Sequence, residues 1–154
     1  MIVKAAVRVL GFIIPFSFGV ASTAQAPGPV ALTPEEIQFS TAGLALPGMG
    51  QANLVGDPAK PGPYTIRLRF PNGYKLAPHS HPDAREVTIL SGTWLTGYGD
   101  TFDAAALKVL PAGSFYTEPA NLPHFLETRG AVVIQVSGTG PSTRVFVNPA
   151  DNPR

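Results

Sequence analysis

An antiparallel all-β domain, barrel or sandwich, is what this sequence predicts, on three observations. From Tyr64 onward apolar and polar residues alternate with a period of two. Turn residues return about every ten positions, the spacing of short strands joined by tight connections. The 16 glycines and 17 prolines are scattered, which excludes a collagen-like repeat. A length of 154 residues has room for one domain. With 44% hydrophobic and 14% charged residues, neither an acidic disordered tail nor a nucleic-acid arm fits. Two of the 11 Lys and Arg, Lys4 and Arg8, lie in a leader segment; the other 9 face 10 Asp and Glu, a net of −1. That balance supplies no electrostatic reason to bind nucleic acid or an anionic membrane. Without cysteine there is no disulfide, thiolate metal site or Cys nucleophile.

Taken in order, residues 1–26 read as a secretory signal peptide. Lys4 and Arg8 supply the positive start, and Val9 to Ala21 form an apolar stretch broken by Gly11, Pro15, Ser17 and Gly19. Ala24-Gln25-Ala26 is the small-x-small pattern a signal peptidase reads, so cleavage is expected after Ala26. The apolar run is short of the ~20 residues of a spanning helix, so no stable membrane anchor is expected after cleavage. The expected location is secreted or periplasmic, since a cysteine-free exported domain suits a bacterial periplasm.

Residues 27–60 read as an arm. Thr33-Pro34-Glu35-Glu36 is a capping box with proline at the first helical position, which predicts a short helix to about Phe39. Residues 61–154 form the barrel domain. Tyr64 to Phe70 alternates as a strand with one buried face. Further strands are expected at Glu86–Leu90, Thr93–Tyr98, Phe115–Glu118, His124–Thr128, Ala131–Val136 and Thr143–Val147, with turns at Ser91-Gly92, Pro111-Ala112-Gly113 and Arg129-Gly130 between them. Asp103–Lys108 predicts a helical turn or two. Trp94, Phe102, Phe115, Phe125 and Phe146 are expected in the core. Asp100 and Asp103 are expected to cap, and Tyr98, Tyr116 and Gln135 are candidates to line a pocket.

Three histidines carry the chemistry. His79 and His81 are two apart, which on a strand puts both imidazoles on one face, roughly 6.5–7 Å apart. Glu86 follows, and His124 falls on another expected strand. Imidazoles plus a carboxylate make an N/O ligand set suited to one divalent Mn, Fe, Ni, Cu or Zn ion. No nucleophile elbow, phosphate loop or dinucleotide fingerprint is present.

The stretch Gly73-(x5)-His79-x-His81-(x4)-Glu86, with Gly92 after it, resembles the first motif of the cupin superfamily, and Gly113-(x5)-Pro119-x-Asn121-(x2)-His124 resembles the second. The runs GDPAKPGPYTIRLRFPNGYKLAPHSHP, VTILSGTW, LPAGSF and VNPADNP are similar to a group of small single-domain cupins. The resemblance spans Tyr64 to Val147. It implies a jelly-roll barrel, or double-stranded β-helix, with a metal on His79, His81, Glu86 and His124. It also implies a homodimer through exposed strands as one option. Asn121 stands where the motif has glycine, and Asn tolerates the left-handed backbone of that turn. Thr128 replaces a usual Asn, with a hydroxyl to cover its bonds.

The carboxylate slot is contested within the sequence. Counted forward from His81, Glu86 has an allowed spacing. Counted back from Gly92 at period two, Arg85 takes the slot, because a shift of one residue sends a side chain to the other face. A bulge near Asp83-Ala84 resolves it either way. With Arg85 inward, the site is three histidines beside a cation, suited to an anionic ligand. The implied activity is metal-dependent dioxygenase, isomerase or lyase chemistry on a small polar molecule. The alternative is a non-catalytic module that binds or senses a small ligand.

Overall fold

Alternation of buried and exposed side chains builds eight strands in the computed structural model, which describes residues 28–42, 44 and 46–152. The expected signal peptide lies outside the described residues. The strands are β1 (Gly50–Val55), β2 (Gly62–Phe70), β3 (Lys75–Ser80), β4 (Arg85–Tyr98), β5 (Lys108–Pro111), β6 (Phe115–Glu118), β7 (His124–Gly140) and β8 (Val145–Phe146). In β2 the alternation read from sequence sends Tyr64, Ile66, Leu68 and Phe70 inward.

Two long strands bend to make the barrel. β4 pairs antiparallel with β7 along most of both lengths, with register slips around Ser91. Before the bend, Glu86–Ile89 of β4 lies against residues 134–137 of β7, whose other edge pairs with β2. Beyond it, Thr93–Tyr98 lies against residues 124–129, which pair also with β3. The layers are thus β1-β2-β7-β4-β6 and β8-β3-β7-β4-β5. This is the jelly-roll arrangement that the resemblance implies.

Ser91-Gly92 and Arg129-Gly130 are therefore corners inside continuous strands, not the turns between separate strands that the sequence predicts. The segments flanking each corner share a partner strand instead of pairing with each other. Gly92 has φ +73°, and a Cβ there would sit 2.4 Å from the Ala131 carbonyl oxygen, so the crossing closes only without a side chain.

Tyr64, Ile66, Leu68, Phe70, Val87, Ile89, Trp94 and Leu126 fill the interior. Trp94 and Phe125 are buried as expected, whereas Phe115 is 58% exposed because its neighbour Tyr116 takes the inward side of β6. The expected N-terminal helix is a single 3-10 turn, Pro34–Glu36. Its box is half made by the Thr33 N–H donating to Glu36 Oε2 at 2.7 Å, and the chain then extends so that Ile37 is buried and Ser40 bridges Gln51. The Asp103–Lys108 stretch likewise makes one 3-10 turn, Ala104–Ala106, with the Asp103 carboxylate accepting from the Ala105 N–H. Asn121 has φ 61°, the left-handed turn expected of it. Thr128 Oγ1 donates to the Pro71 carbonyl at 2.7 Å and accepts the Tyr74 N–H at 2.9 Å, covering the bonds expected of it. Among the described residues no helix is long and apolar enough to cross a membrane.

Candidate metal centre

β3 and β7 bring the three histidines together. His79 and His124 are cross-strand partners, and His81 lies two residues after His79, just past the end of β3. Pro78, which cannot donate to a ladder, is tolerated because the register breaks between Leu76 and His79. The ring centroids of His79 lie 4.3 Å from His124 and 5.2 Å from His81. One nitrogen from each of the three converges within 4.8 Å of the others. All three rings are buried.

The second nitrogen of each ring fixes its orientation. Nδ1 of His79 lies 2.8 Å from the Ala77 carbonyl, that of His81 2.7 Å from Thr143 and that of His124 3.3 Å from Leu122. A carbonyl only accepts, so each Nδ1 carries the proton and each Nε2 presents a lone pair inward. Nε2 of His81 and of His124 is buried without a hydrogen-bond partner. Buried polar atoms are rarely left so, and backbone-anchored imidazoles with free Nε2 are the usual arrangement of metal ligands. The donor set therefore fits a divalent transition metal. Burial, then the neighbouring His124, lowers the pKa of His79 to about 2. Burial also lowers His81, and it lowers His124 although Glu118 opposes the shift. The rings are thus neutral and able to ligate across the physiological range.

Glu86 is not brought to this group. It lies on the exposed side of β4, while Arg85, Val87 and Ile89 point inward. The register counted back from Gly92 describes the chain, because Glu86 and Arg85 occupy opposite faces and the buried face is already set by Val87 and Ile89. The carboxylate near the histidines is Glu118 of β6, the direct cross-strand partner of Arg85. Its Oε2 accepts from Arg85 Nε at 2.6 Å and from a second guanidinium nitrogen. Its Oε1 accepts from the Tyr116 hydroxyl at 2.7 Å and stands 3.4 Å from His124 Nε2. Trp94 Nε1 in turn donates to the Tyr116 oxygen at 3.0 Å. Burial alone would raise Glu118, but the Arg85 guanidinium and the Tyr116 hydroxyl outweigh it and hold the carboxyl below its ordinary value. Burial and Glu118 push Tyr116 well above its ordinary value, so it stays a donor.

Of the pocket candidates, Tyr116 is inside, Tyr98 is 48% exposed, and Gln135 accepts from Arg67 Nε. Sequence reasoning missed Glu118 as a site residue. The signal was the parity of Phe115–Glu118, which puts Tyr116 and Glu118 on one face. Arg144, which lines a cavity with His81 and Arg85, was not legible either, since it lies just before the two-residue β8 with no periodicity to place it.

No family model matches the sequence. The chain is 31% identical over 119 residues to germin-like protein subfamily 1 member 1 of Arabidopsis thaliana, a match covering 69% of this chain. The chain spans 55% of that relative's length. An RmlC-like cupin from Ralstonia eutropha superposes with a TM-score of 0.59 at 20% identity, over 80% of this chain and 75% of the other. The polyketide cyclase RemF from Streptomyces resistomycificus gives 0.65 at 13% identity, over 80% and 88%. Likenesses at such identity speak for the fold, and here they agree with both histidine motifs and with a germin-like sequence match. The chain belongs to the cupin superfamily.

Proposed function

We propose that this protein is a secreted cupin. In this reading His79, His81 and His124 hold one divalent Mn, Fe, Ni, Cu or Zn ion, beside which a small polar molecule is bound or transformed. The observation that carries the reading is the trio of buried imidazoles, each with Nδ1 tied to a backbone carbonyl and Nε2 turned inward. An ion held there would supply Lewis-acid character and, if iron or manganese, oxygen chemistry.

The chain's own groups have separable tasks. The carbonyls of Ala77, Leu122 and Thr143 orient the rings. Glu118 places negative charge 3.4 Å from His124 Nε2, and Arg85 and Tyr116 fix its rotamer. Glu118 rather than Glu86 is thus the carboxylate that this reading sets beside the ion. Tyr64 donates to Asp83 Oδ2 at 2.6 Å and ties the loop after His81 to β2.

A non-catalytic binding module is the second reading, and one observation favours it. The carboxylate and phenol nearest the histidines are both committed, Glu118 to Arg85 and Tyr116 to Glu118, leaving neither free as a general base.

Metal analysis of untagged protein, from native expression, tests the centre. Parent protein should carry about one ion per chain, and His79→Ala, His81→Ala and His124→Ala should each lose most of it while staying folded. Full occupancy in all three variants would remove the centre. Turnover abolished by chelation supports the enzyme reading; chelation that only lowers the melting temperature supports the module. Secretion rests on the leader: N-terminal sequencing should find Pro27, and intact Met1 in the membrane fraction would overturn it.

A further inference from the structure

The barrel holds a second, half-buried cation with no carboxylate within ion-pair distance. Arg144 stands just before β8, and its Nε is buried without a hydrogen-bond partner. Among the described residues, no Asp or Glu lies within ion-pair distance of it. Arg85 is accounted for by Glu118; Arg144 is not. Both line an open cavity of about 320 Å³, together with His81, Tyr64, Ile66 and Leu68. A further space of about 10 Å³ is lined by His79, Arg85, Glu118 and Arg144, so Arg144 borders the histidine group. Burial, and then Arg85, lower its pKa to about 10, which leaves it charged at neutral pH.

A half-buried guanidinium with no carboxylate in reach favours an anion, and its planar fork matches a carboxylate. We infer that the cavity takes a small organic acid, its carboxylate on Arg144 and its body toward His81. This names the substrate or ligand class of the site proposed above and rests on that reading. A carboxylate fits better than phosphate on two grounds. One guanidinium is free, since Arg85 is already neutralised, and one carboxylate charge balances it. The lining also includes Ile66, Leu68 and Phe146, whose apolar side chains suit a carbon skeleton. At roughly 30 Å³ per water-sized group, the cavity has room for about ten heavy atoms.

The test is calorimetric titration of metal-free and zinc-loaded full chain with benzoate, its neutral isostere benzamide, and inorganic phosphate. Benzoate should bind both forms, benzamide and phosphate at least tenfold more weakly. Arg144→Gln should lose at least tenfold in benzoate affinity, and Arg144→Lys less, because it keeps the charge but not the fork. Thermal melts confirm folding of both variants, and parent-like zinc affinity in Arg144→Gln separates the anion site from the metal site. Benzamide binding as tightly as benzoate, phosphate binding as tightly as benzoate, or parent-like benzoate affinity in Arg144→Gln would each overturn the inference. A parent that binds benzoate through Arg144 but no zinc would sustain it while removing the metal centre. A parent that binds zinc but not benzoate would do the reverse.

Discussion

Replacing Arg85 by Met should destabilise the metal-free protein by about 3 kcal/mol at pH 7, with a pH dependence that identifies the cause. The Arg85 and Glu118 side chains are 10% and 4% exposed, so the substitution strands a carboxylate inside the barrel. Removing one partner of a buried pair costs about 3–5 kcal/mol. Glu118 can escape by taking up a proton, and that sets a ceiling. From its ordinary value of 4.5 to pH 7 is about 2.5 units, or about 3.4 kcal/mol at 1.36 kcal/mol per unit. In the parent the folded pKa of Glu118 is depressed, so its contribution is present above the unfolded value and is lost as pH falls through the folded one. In Arg85→Met the folded pKa is raised, the folded state binds the extra proton, and the penalty shrinks as pH falls from 7 toward 5. Urea unfolding of parent and variant in chelator, at pH 7 and pH 5.5, reads the difference directly. Arg85→Met/Glu118→Met should recover part of the loss, leaving about 1–3 kcal/mol for the Tyr116 hydroxyl that no longer has its acceptor. A penalty under about 1 kcal/mol at pH 7, or one that grows as pH falls, would refute the argument.

Three other outcomes are expected. Glu86→Gln should leave metal affinity at the parent value, since the side chain is exposed on the outer side of β4; a marked loss in equilibrium titration would restore Glu86 to the site. Metal-free protein should lose stability as pH falls below the ordinary histidine value of 6.5. The unfolded chain then binds protons that the buried rings refuse. His79 alone gives a slope approaching about 1.4 kcal/mol per pH unit down to about pH 2, and His81 and His124 steepen it; a flat melting temperature between pH 6.5 and 5 contradicts this. Gly92→Ala should destabilise by more than ~1 kcal/mol, where an unstrained glycine-to-alanine change would stabilise, because the added methyl meets the Ala131 carbonyl at 2.4 Å; a melting temperature at or above the parent's counts against the corner.

Much of the barrel was legible because one buried face leaves a period-two imprint. Tyr64 to Phe70 and Phe115–Glu118 show it, and their inward residues were readable by parity. The histidine trio was legible from the spacing of His79 and His81 taken together with the resemblance of both motifs to the cupin pattern. What failed to show has physical reasons. β1 carries no strict alternation, since β2 is its one strand neighbour and only the single Ser40 bridge lies on its other side, so its stretch read as an arm. The corners at Gly92 and Gly130 look in sequence like turns between strands, because glycine at positive φ serves both. Only the pairing partners distinguish them, and those are non-local.

The contested carboxylate follows the same logic one step further. A neutral trio of imidazoles beside a divalent cation calls for nearby negative charge, and the motif's spacing assigns that task to Glu86. The buried face of β4 was set instead by Val87 and Ile89, which force Arg85 inward at the same period. An inward arginine needs an anion in reach, and its direct cross-strand neighbour is Glu118. One carboxylate then serves two neighbours, neutralising Arg85 through Oε2 and facing His124 through Oε1. The anion has moved to the adjacent strand while the charge beside the histidines is kept. That exchange leaves Arg144 as the one cation lining the cavity without a carboxylate, which is why the site's remaining charge requirement points outward, to a ligand.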